Sequence, residues 1–174
     1  TERWNDGVPV PADYDGDGRT DIAVWQSATG KWAIKRSCDG TEETAYWGAS
    51  NMTDRDVPVV ADYDGDGKAD LAVYRSTSHR WQIKRSSDGL IIDREWGAKG
   101  DQPLAADYDG DGKTDAAVYQ SGSGNWFVVG STSGFFSPAL NFGGAREDGS
   151  TATRDGRGAV RDHFFGQSSF GTFA

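Results

Sequence analysis

The amino-acid sequence predicts an all-β protein made of repeated units, each with four short antiparallel strands. An acidic, glycine-rich segment of nine residues occurs three times and begins at Asp13, Asp62 and Asp107. Aromatic residues recur at nearly fixed distances after each copy, and such periodicity is typical of repeat folds. No window of the sequence has the apolar spacing of an amphipathic helix. The 24 glycines suit strands joined by tight turns.

The spacing of the repeat sets the size of each unit. The acidic segments start 49 and then 45 residues apart. An aromatic residue follows each start by 12 positions, a tryptophan by 19, and another aromatic by 34 or 35 with glycine directly after it. The three sets are Trp25, Trp32 and Trp47; Tyr74, Trp81 and Trp96; and Tyr119, Trp126 and Phe142. Four strands in about 45 residues is the size of one β-propeller blade.

Each unit is predicted to place its four strands in the same order. The first strand runs into the acidic segment. The second, at residues 22–25, 71–74 and 116–119, is continuously apolar, which is typical of a strand buried on both faces. The third alternates Trp32 and Ile34 with polar or small residues, which indicates a half-exposed strand, and the fourth ends at Trp47 or Trp96. The predicted units span about residues 8–56, 57–102 and 103–147.

The two ends of the sequence depart from the repeat. Residues 1–7 resemble the last strand of an incomplete blade, because Trp4 matches Trp47 and Trp96. Residues 148–174 contain no fourth acidic segment. We interpret them as a degenerate blade or as a strand exchanged with a neighbouring molecule.

The acidic segments are predicted calcium loops, here called loop 1 (residues 13–21), loop 2 (62–70) and loop 3 (107–115). Each has aspartate at positions 1, 3, 5 and 9 and glycine at positions 4 and 6. Carboxylates this close repel one another, and a hard cation that prefers six to eight oxygens relieves the repulsion. Position 6 needs glycine for a sharp turn. Asp-Gly hairpin turns without an ion are the alternative.

Position 7 of each loop is occupied by arginine or lysine. The backbone carbonyl of this residue is predicted to bind the metal, while its charged side chain points to water. The predicted ligands are Asp13, Asp15, Asp17, Arg19 and Asp21 in loop 1; Asp62, Asp64, Asp66, Lys68 and Asp70 in loop 2; and Asp107, Asp109, Asp111, Lys113 and Asp115 in loop 3. We therefore expect about three bound Ca²⁺ ions.

An EF-hand is excluded by two features. Its loop places a bidentate glutamate at position 12 and is flanked by helices. Here position 12 is Val24, Val73 or Val118, and the flanking sequence is β-rich.

The units resemble the FG-GAP/VCBS repeats of bacterial surface proteins, which are related to the blades of the integrin α-subunit propeller. The resemblance is carried by Pro-Val-Val-Ala-Asp-Tyr-Asp-Gly-Asp-Gly-Lys-Ala-Asp-Leu-Ala-Val-Tyr at 58–74, by Trp81 and by Trp96-Gly97, and it covers about residues 4–147. It implies a β-propeller whose blades hold calcium between their first two strands, with the four aspartates of each loop as ligands. Members serve in adhesion, in glycan binding and beside secreted enzymes, so the resemblance does not fix one function. Three blades are fewer than the four that a closed propeller needs, so either the blades associate with another copy or the sequence is part of a longer propeller.

The net charge and composition of the chain limit its possible binding partners and indicate where it acts. The net charge of −9 argues against nucleic acid and anionic membrane as partners, and three bound Ca²⁺ would bring it to −3. No segment approaches the roughly 20 apolar residues of a membrane span. Calcium loops of modest affinity, about 10⁻⁴ to 10⁻³ M, suit the millimolar calcium outside cells. We expect a secreted or cell-surface protein.

The predicted function is a non-catalytic module for adhesion or structural assembly, which associates with itself through its open blade edges or binds a cell-surface protein. Lectin-like glycan binding is the alternative: Trp32, Trp81 and Trp126 would form an exposed platform, unless they pack between blades. The cations Lys35, Arg36, Lys84 and Arg85 would suit acidic glycans, unless they form a solvated strand face.

A polysaccharide-degrading enzyme is the least supported function, because no Gly-x-Ser-x-Gly or His-Glu-x-x-His motif is present and His79 and His163 stand alone.

Two further residues carry separate expectations. Cys38 is the single cysteine, so no intrachain disulfide forms, and it is predicted at a loop tip where the next repeat has Ser87. Asn51-Met52-Thr53 is an acceptor sequon for glycosylation in a predicted exposed loop.

Overall fold

The computed structural model describes residues 7–48, 56–132 and 136–141. These residues form three antiparallel sheets of four strands each, and no helix occurs among them. Blade 1 contains β1 (Val8–Pro9), β2 (Ile22–Gln26), β3 (Lys31–Lys35) and β4 (Glu42–Tyr46). Blade 2 contains β5 (Asp56–Pro58), β6 (Leu71–Arg75), β7 (Arg80–Lys84) and β8 (Ile91–Glu95). Blade 3 contains β9 (Gln102–Ala106), β10 (Asp115–Gln120), β11 (Asn125–Val129) and β12 (Phe136–Asn141).

Strand order confirms the predicted all-β fold of blade-like units. In each sheet every strand pairs with its neighbour in sequence, so the chain runs up and down across the blade. The paired aromatics at the β2–β3 and β6–β7 hairpins lie directly opposite each other, as Trp25 with Trp32 and Tyr74 with Trp81. The described part of the chain contains no helix that could span a membrane.

The turn between the second and third strands explains one unusual residue. The residue before the third strand has a left-handed backbone in every blade, with φ of 67° at Gly30, 55° at His79 and 71° at Gly124. His79 is the non-glycine residue with positive φ within the described ranges. A side chain there carries a steric cost that the two glycines avoid.

The core lies between consecutive blades. Trp25 and Trp32 of blade 1 pack with Val73 of blade 2, and the equivalent Tyr74 and Trp81 pack with Val118 of blade 3. Burying one tryptophan removes roughly 150–250 Å² from water, which at about 25 cal/mol per Å² gives several kcal/mol as an upper value. Each seam between blades therefore supplies stability that a single blade lacks.

Trp47, directly after β4, contributes to the contact between blades 1 and 2, here called the first seam. The carbonyl oxygen of Trp47 accepts hydrogen bonds from the indole N–H groups of Trp25, at 3.2 Å, and Trp32, at 2.8 Å. The indole N–H of Trp47 donates to the Gln82 carbonyl in blade 2 at 3.1 Å. Gly48 lies so close to Val73 that a Cβ added to it would be 2.8 Å from both Val73 methyl carbons. The Trp-Gly pair in the repeat thus reflects a close approach between blades.

The burial of the second strand corrects one sequence prediction. Ala72, Val73 and Tyr74 of β6 are fully buried, as predicted, but Ile22 at the start of β2 is 64% exposed. The reason is positional: the equivalent face of blades 2 and 3 packs against the preceding blade, whereas among the described residues no blade lies against blade 1 on that side. The third strand is half-exposed as predicted, with Trp32 and Ile34 buried and Lys35 exposed.

The tryptophans predicted as an alternative glycan platform are core residues in two blades. Trp32 is 0% and Trp81 1% exposed, because each packs under the following blade. Trp126 of blade 3 is half-buried. The exposed-platform hypothesis is therefore wrong for the first two tryptophans.

Several predictions fall outside the described residues. These concern the strand at residues 1–7 with Trp4, the sequon at Asn51, Phe142, His163 and the segment 148–174. The unit boundaries at about 56, 102 and 147 stay predictions.

Candidate metal centre

Each predicted calcium loop connects the first and second strands of its blade, and the three loops share one backbone conformation. Glycines at positions 4 and 6 have φ of 81° and 81° in loop 1, 80° and 85° in loop 2, and 81° and 85° in loop 3. Residues with a side chain rarely adopt a φ in this left-handed region, so glycine is required at both positions. From the sequence, this requirement is predicted at position 6 alone.

The aspartate at position 1 organises the front of the loop. One carboxylate oxygen of Asp62 accepts the N–H of Gly65 at 2.6 Å, and the other accepts the N–H of Gly67 at 2.8 Å. Asp13 and Asp107 make the same pairs of bonds in their loops. Burial acts to raise the pKa of Asp13, but the N–H groups of its loop outweigh it and hold the pKa below its usual value.

The aspartate at position 9 has a structural role beyond the predicted one of metal ligand. Asp21, Asp70 and Asp115 are all 0% exposed. One oxygen of Asp70 accepts the N–H of Tyr63 at position 2 of the same loop, at 2.9 Å, and the other accepts the N–H of Ser86 in the β7–β8 turn, at 2.7 Å. Asp21 and Asp115 do the same with their equivalents. The signal was present in the sequence, because a serine follows the start of every loop by 24 residues.

Burial outweighs these two hydrogen bonds at Asp70. Its pKa is raised to about 6, first by burial and further by the charge of Asp64. A cation beside the carboxylate would remove that penalty and restore the ionised form. This is the behaviour expected of a metal ligand in a buried position.

Side chains of the turn between the third and fourth strands also reach the loop. The hydroxyl of Ser87 donates to Asp64 at position 3, at 2.6 Å, and that of Ser86 donates to Asp66 at position 5, at 2.9 Å. Cys38 takes the place of Ser87 in blade 1, where its Sγ lies 3.1 Å from Asp15 Oδ2. This hydrogen bond raises the pKa of the Cys38 thiol to about 11, so the exposed cysteine behaves as a serine substitute with a protonated thiol.

Two of the four cations that would suit acidic glycans, Arg36 and Arg85, are paired with carboxylates of this chain. Nε of Arg85 lies 2.9 Å from Asp64 Oδ2 in loop 2, so Arg85 faces the metal loop. Arg36 pairs with Glu43 at 2.8 Å. The involvement of Arg85 with loop 2 was not predicted from sequence.

The structure brings the predicted carboxylates together in every loop. Three ligand oxygens lie within 4.8 Å of one another in each of the sets Asp13, Asp15 and Asp21; Asp62, Asp64 and Asp66; and Asp107, Asp109 and Asp115. A further set joins Asp15 and Asp17 to Cys38. Each of the first three sets contains three of the four predicted aspartates, and all of their donors are hard oxygens. Such a donor set fits calcium.

Two of the three side chains at position 7 also lie against the preceding loop, which the sequence does not predict. A Cβ added to Gly16 of loop 1 would lie 3.1 Å from Cγ of Lys68, and one added to Gly65 of loop 2 would lie 2.9 Å from Cγ of Lys113. The lysine stems of loops 2 and 3 therefore cover the preceding loop, whereas Arg19 of loop 1 is exposed. This cover requires glycine at position 4 of the loop beneath it.

Comparison with known proteins agrees with the loop pattern. Residues 13–73 match the model of the FG-GAP-like repeat, a span that runs from the start of loop 1 into β6. A search of curated proteins and a search of solved structures each found no match to the chain. FG-GAP-type repeats often bind Ca²⁺ and are common in extracellular proteins. The resemblance inferred from the sequence is thus confirmed, and residues 13–73 of the chain form an FG-GAP-like repeat region.

Proposed function

We propose that this protein is a non-catalytic, calcium-stabilised repeat module that acts outside the cell in adhesion or structural assembly. The observation that carries the proposal is the repetition of one site. In each of loops 1, 2 and 3, oxygens of three aspartates lie within 4.8 Å of one another, and the position 1 and position 9 aspartates make the same backbone hydrogen bonds in every loop. A turn without an ion has no need of so many acidic groups in three places.

Calcium suits these loops better than magnesium. Ca²⁺ accepts six to eight oxygens at about 2.3–2.6 Å in flexible geometry, whereas Mg²⁺ needs a near-ideal octahedron and retains several waters. The loops present many carboxylate oxygens on a short, exposed backbone. Without a cation the neighbouring charges repel, as the raised pKa of Asp109 reflects: burial raises it first, and the charges of Asp115, Asp111 and Asp107 add to the rise.

The ion would stabilise the blade rather than take part in chemistry. Position 1 is the first residue of the loop, and position 9 lies at or directly before the start of the second strand. A cation held by both would therefore fasten the two ends of the loop, and with them the first two strands of the blade. Asp70 also holds the β7–β8 turn through Ser86, which extends the fastening to the third and fourth strands of the blade. The free energy of metal binding then becomes free energy of folding.

The rival functions have less support in the described residues. Glycan binding through the repeated tryptophans loses Trp32 and Trp81 to the core, and Arg36 and Arg85 are paired with carboxylates. A polysaccharide-degrading enzyme would need a further pair of carboxylates, and 12 of the 27 acidic residues are already proposed as loop ligands. Adhesion or assembly requires only surfaces, and the repeat supplies these.

Thermal unfolding in calcium and in EGTA tests the proposal. At free calcium about 100 times the Kd, each site adds about 2.7 kcal/mol to the free energy of unfolding, so we expect Tm to rise by several degrees or more. Asp66→Asn, in loop 2, should reduce this rise. Asp93→Asn, the same change in the exposed strand β8, should not. An equal Tm with and without calcium would overturn the proposal.

A further inference from the structure

The two seams between consecutive blades use one set of contacts, repeated at equivalent positions. The N–H of Ala69, position 8 of loop 2, donates to the carbonyl of Asp13, position 1 of loop 1, at 2.7 Å. The N–H of Thr114, position 8 of loop 3, donates to the carbonyl of Asp62, also at 2.7 Å. The loops therefore form a line in which each one donates to the loop before it.

Side chains follow the same rule. The position 7 lysine of the later loop covers the position 4 glycine of the earlier loop in both seams, as Lys68 over Gly16 and Lys113 over Gly65. Beneath them, a valine of the later blade packs on the aromatic pair of the earlier one. A seam thus needs a donor half, from the later blade, and an acceptor half, from the earlier blade.

Blade 1 presents a donor half that no other described blade covers. Thr20, at position 8 of loop 1, is exposed, whereas its equivalent Ala69 is buried. Ile22 is 64% exposed, whereas its equivalent Ala116 is 3% exposed. Arg19 supplies the position 7 cation and is exposed. The hydrogen bonds of the described residues include none from the Thr20 N–H.

Blade 3 presents the matching acceptor half. Tyr108 is 44% exposed, whereas its equivalent Tyr63 is 6% exposed. A Cβ added to Gly110, at position 4 of loop 3, would meet nothing within 4 Å, in contrast to Gly16 and Gly65. Tyr119 and Trp126 form the third aromatic pair, with ring centroids 5.2 Å apart, and both are half-buried.

We propose that the outer face of blade 1 docks on the outer face of blade 3 of a second copy of this chain. Arg19 would cover Gly110, the Thr20 N–H would donate to the Asp107 carbonyl, and the exposed Ile22 would be buried. The cation would also approach the acidic loop 3, as Lys113 approaches loop 2. The contact rests on the proposed function, because it presumes loops held in shape by calcium.

A second copy is the occupant that the repeated contacts favour. Blade 1 has the exposed position 7 cation and position 8 donor, and blade 3 has the open position 4 glycine and the exposed tyrosine that match them. A second copy of this chain therefore supplies each missing half in the form used at the two internal seams. Since donor and acceptor halves differ, the contact is head-to-tail, and repetition would give a ring or an open filament.

Sedimentation velocity in saturating calcium, over a range of protein concentrations, tests the contact. We expect wild-type protein to associate, and Ile22→Lys to weaken association by about tenfold or more because an unpaired charge would be buried. Ile91→Lys is the matched control, because Ile91 is 55% exposed on the outer strand β8 and should associate as wild type does. Circular dichroism of each variant checks that it is folded.

A mixing experiment tests the polarity of the contact. Tyr108→Lys disables the acceptor half and Ile22→Lys the donor half, so each variant alone should stay monomeric. An equimolar mixture still has one intact half from each and should form a one-to-one dimer that cannot extend. A second donor-half change, Arg19→Glu, should act like Ile22→Lys, with Lys99→Glu as its charge control.

Three results would overturn the proposal: monomeric wild-type protein, association unaffected by Ile22→Lys, or a mixture that stays monomeric. The second would place the occupant of this face elsewhere, in another segment or another protein. Monomeric protein whose Tm still rises with calcium would reject the contact alone, whereas loss of the calcium effect would reject the proposed function.

Discussion

The N–H of Ala69 donates a hydrogen bond of 2.7 Å to the carbonyl oxygen of Asp13. This bond joins loop 2 to the position 1 residue of loop 1. A residue that is predicted to hold an ion on its side chain therefore also holds the next blade through its backbone. Under the proposed function, metal binding and blade packing would therefore share Asp13.

The position 9 aspartate is predicted to matter even without calcium. Asn in place of Asp70 can accept only one of its two backbone N–H donors, so one buried group loses its partner at a cost of about 1–3 kcal/mol. Chemical denaturation of Asp70→Asn in EGTA should show that loss. Asp66→Asn, at an exposed position of the same loop, should have nearly wild-type stability in EGTA. Equal stabilities of the two variants would contradict the structural role of Asp70.

The close approach of Gly48 to Val73 predicts a steric effect. Gly48→Ala would place a methyl group 2.8 Å from the Val73 methyl carbons, and overpacking of this kind costs about 1–3 kcal/mol. Gly89→Ala is the control, because its φ of 71° is similar to the 60° of Gly48 but its surroundings are open. Urea denaturation should show a larger loss for Gly48→Ala. A loss no greater than that of Gly89→Ala would contradict the packing at this seam.

His79 offers a stabilising substitution. Its φ of 55° lies where L residues pay about 1–2 kcal/mol, and its Nε2 is buried with no hydrogen-bond partner among the described residues. Glycine occupies the equivalent position in the other blades. Allowing for the greater entropy of an unfolded glycine, His79→Gly should raise the free energy of unfolding by roughly 0.5–1 kcal/mol. A lower Tm for this variant would show that the imidazole makes a compensating contact.

The buried carboxyl group of Asp101, which lies outside the three acidic loops, should make the free energy of unfolding depend on pH. Burial raises the pKa of its carboxyl group, although the N–H of Ala98 partly offsets the rise. A raised folded-state pKa means that the folded protein holds the proton more tightly than the unfolded chain does. The contribution of Asp101 to stability therefore decreases as pH rises from the ordinary value of 3.8 through the folded-state pKa.

Comparison with Asp101→Asn isolates this contribution. The free energy of unfolding of wild type minus that of the variant should fall as pH rises across that acidic window and become constant above it. A difference that increases with pH would contradict the assigned burial.

The blades and the acidic loops could be predicted from the sequence, because both depend on residue types at fixed spacing. Alternating Trp32 and Ile34 predict a strand, and the Asp and Gly positions predict the loop. The partners of Asp70, the cover that Lys68 gives Gly16, and the approach of Arg85 to Asp64 were not predicted. They depend on backbone groups or on residues brought together only when two blades pack. Ile22 is exposed for the same reason, since a residue pattern does not state which face of a blade has a neighbour.

The number of calcium ions bound per chain tests the central claim most directly. Equilibrium dialysis at saturating calcium should find three ions per wild-type chain, one for each acidic loop, and two for Asp66→Asn at a concentration that saturates the other loops. Wild-type protein that binds no calcium, or an Asp66→Asn variant that binds as many ions as wild type with unchanged affinity, would contradict the assignment of the loops as metal sites.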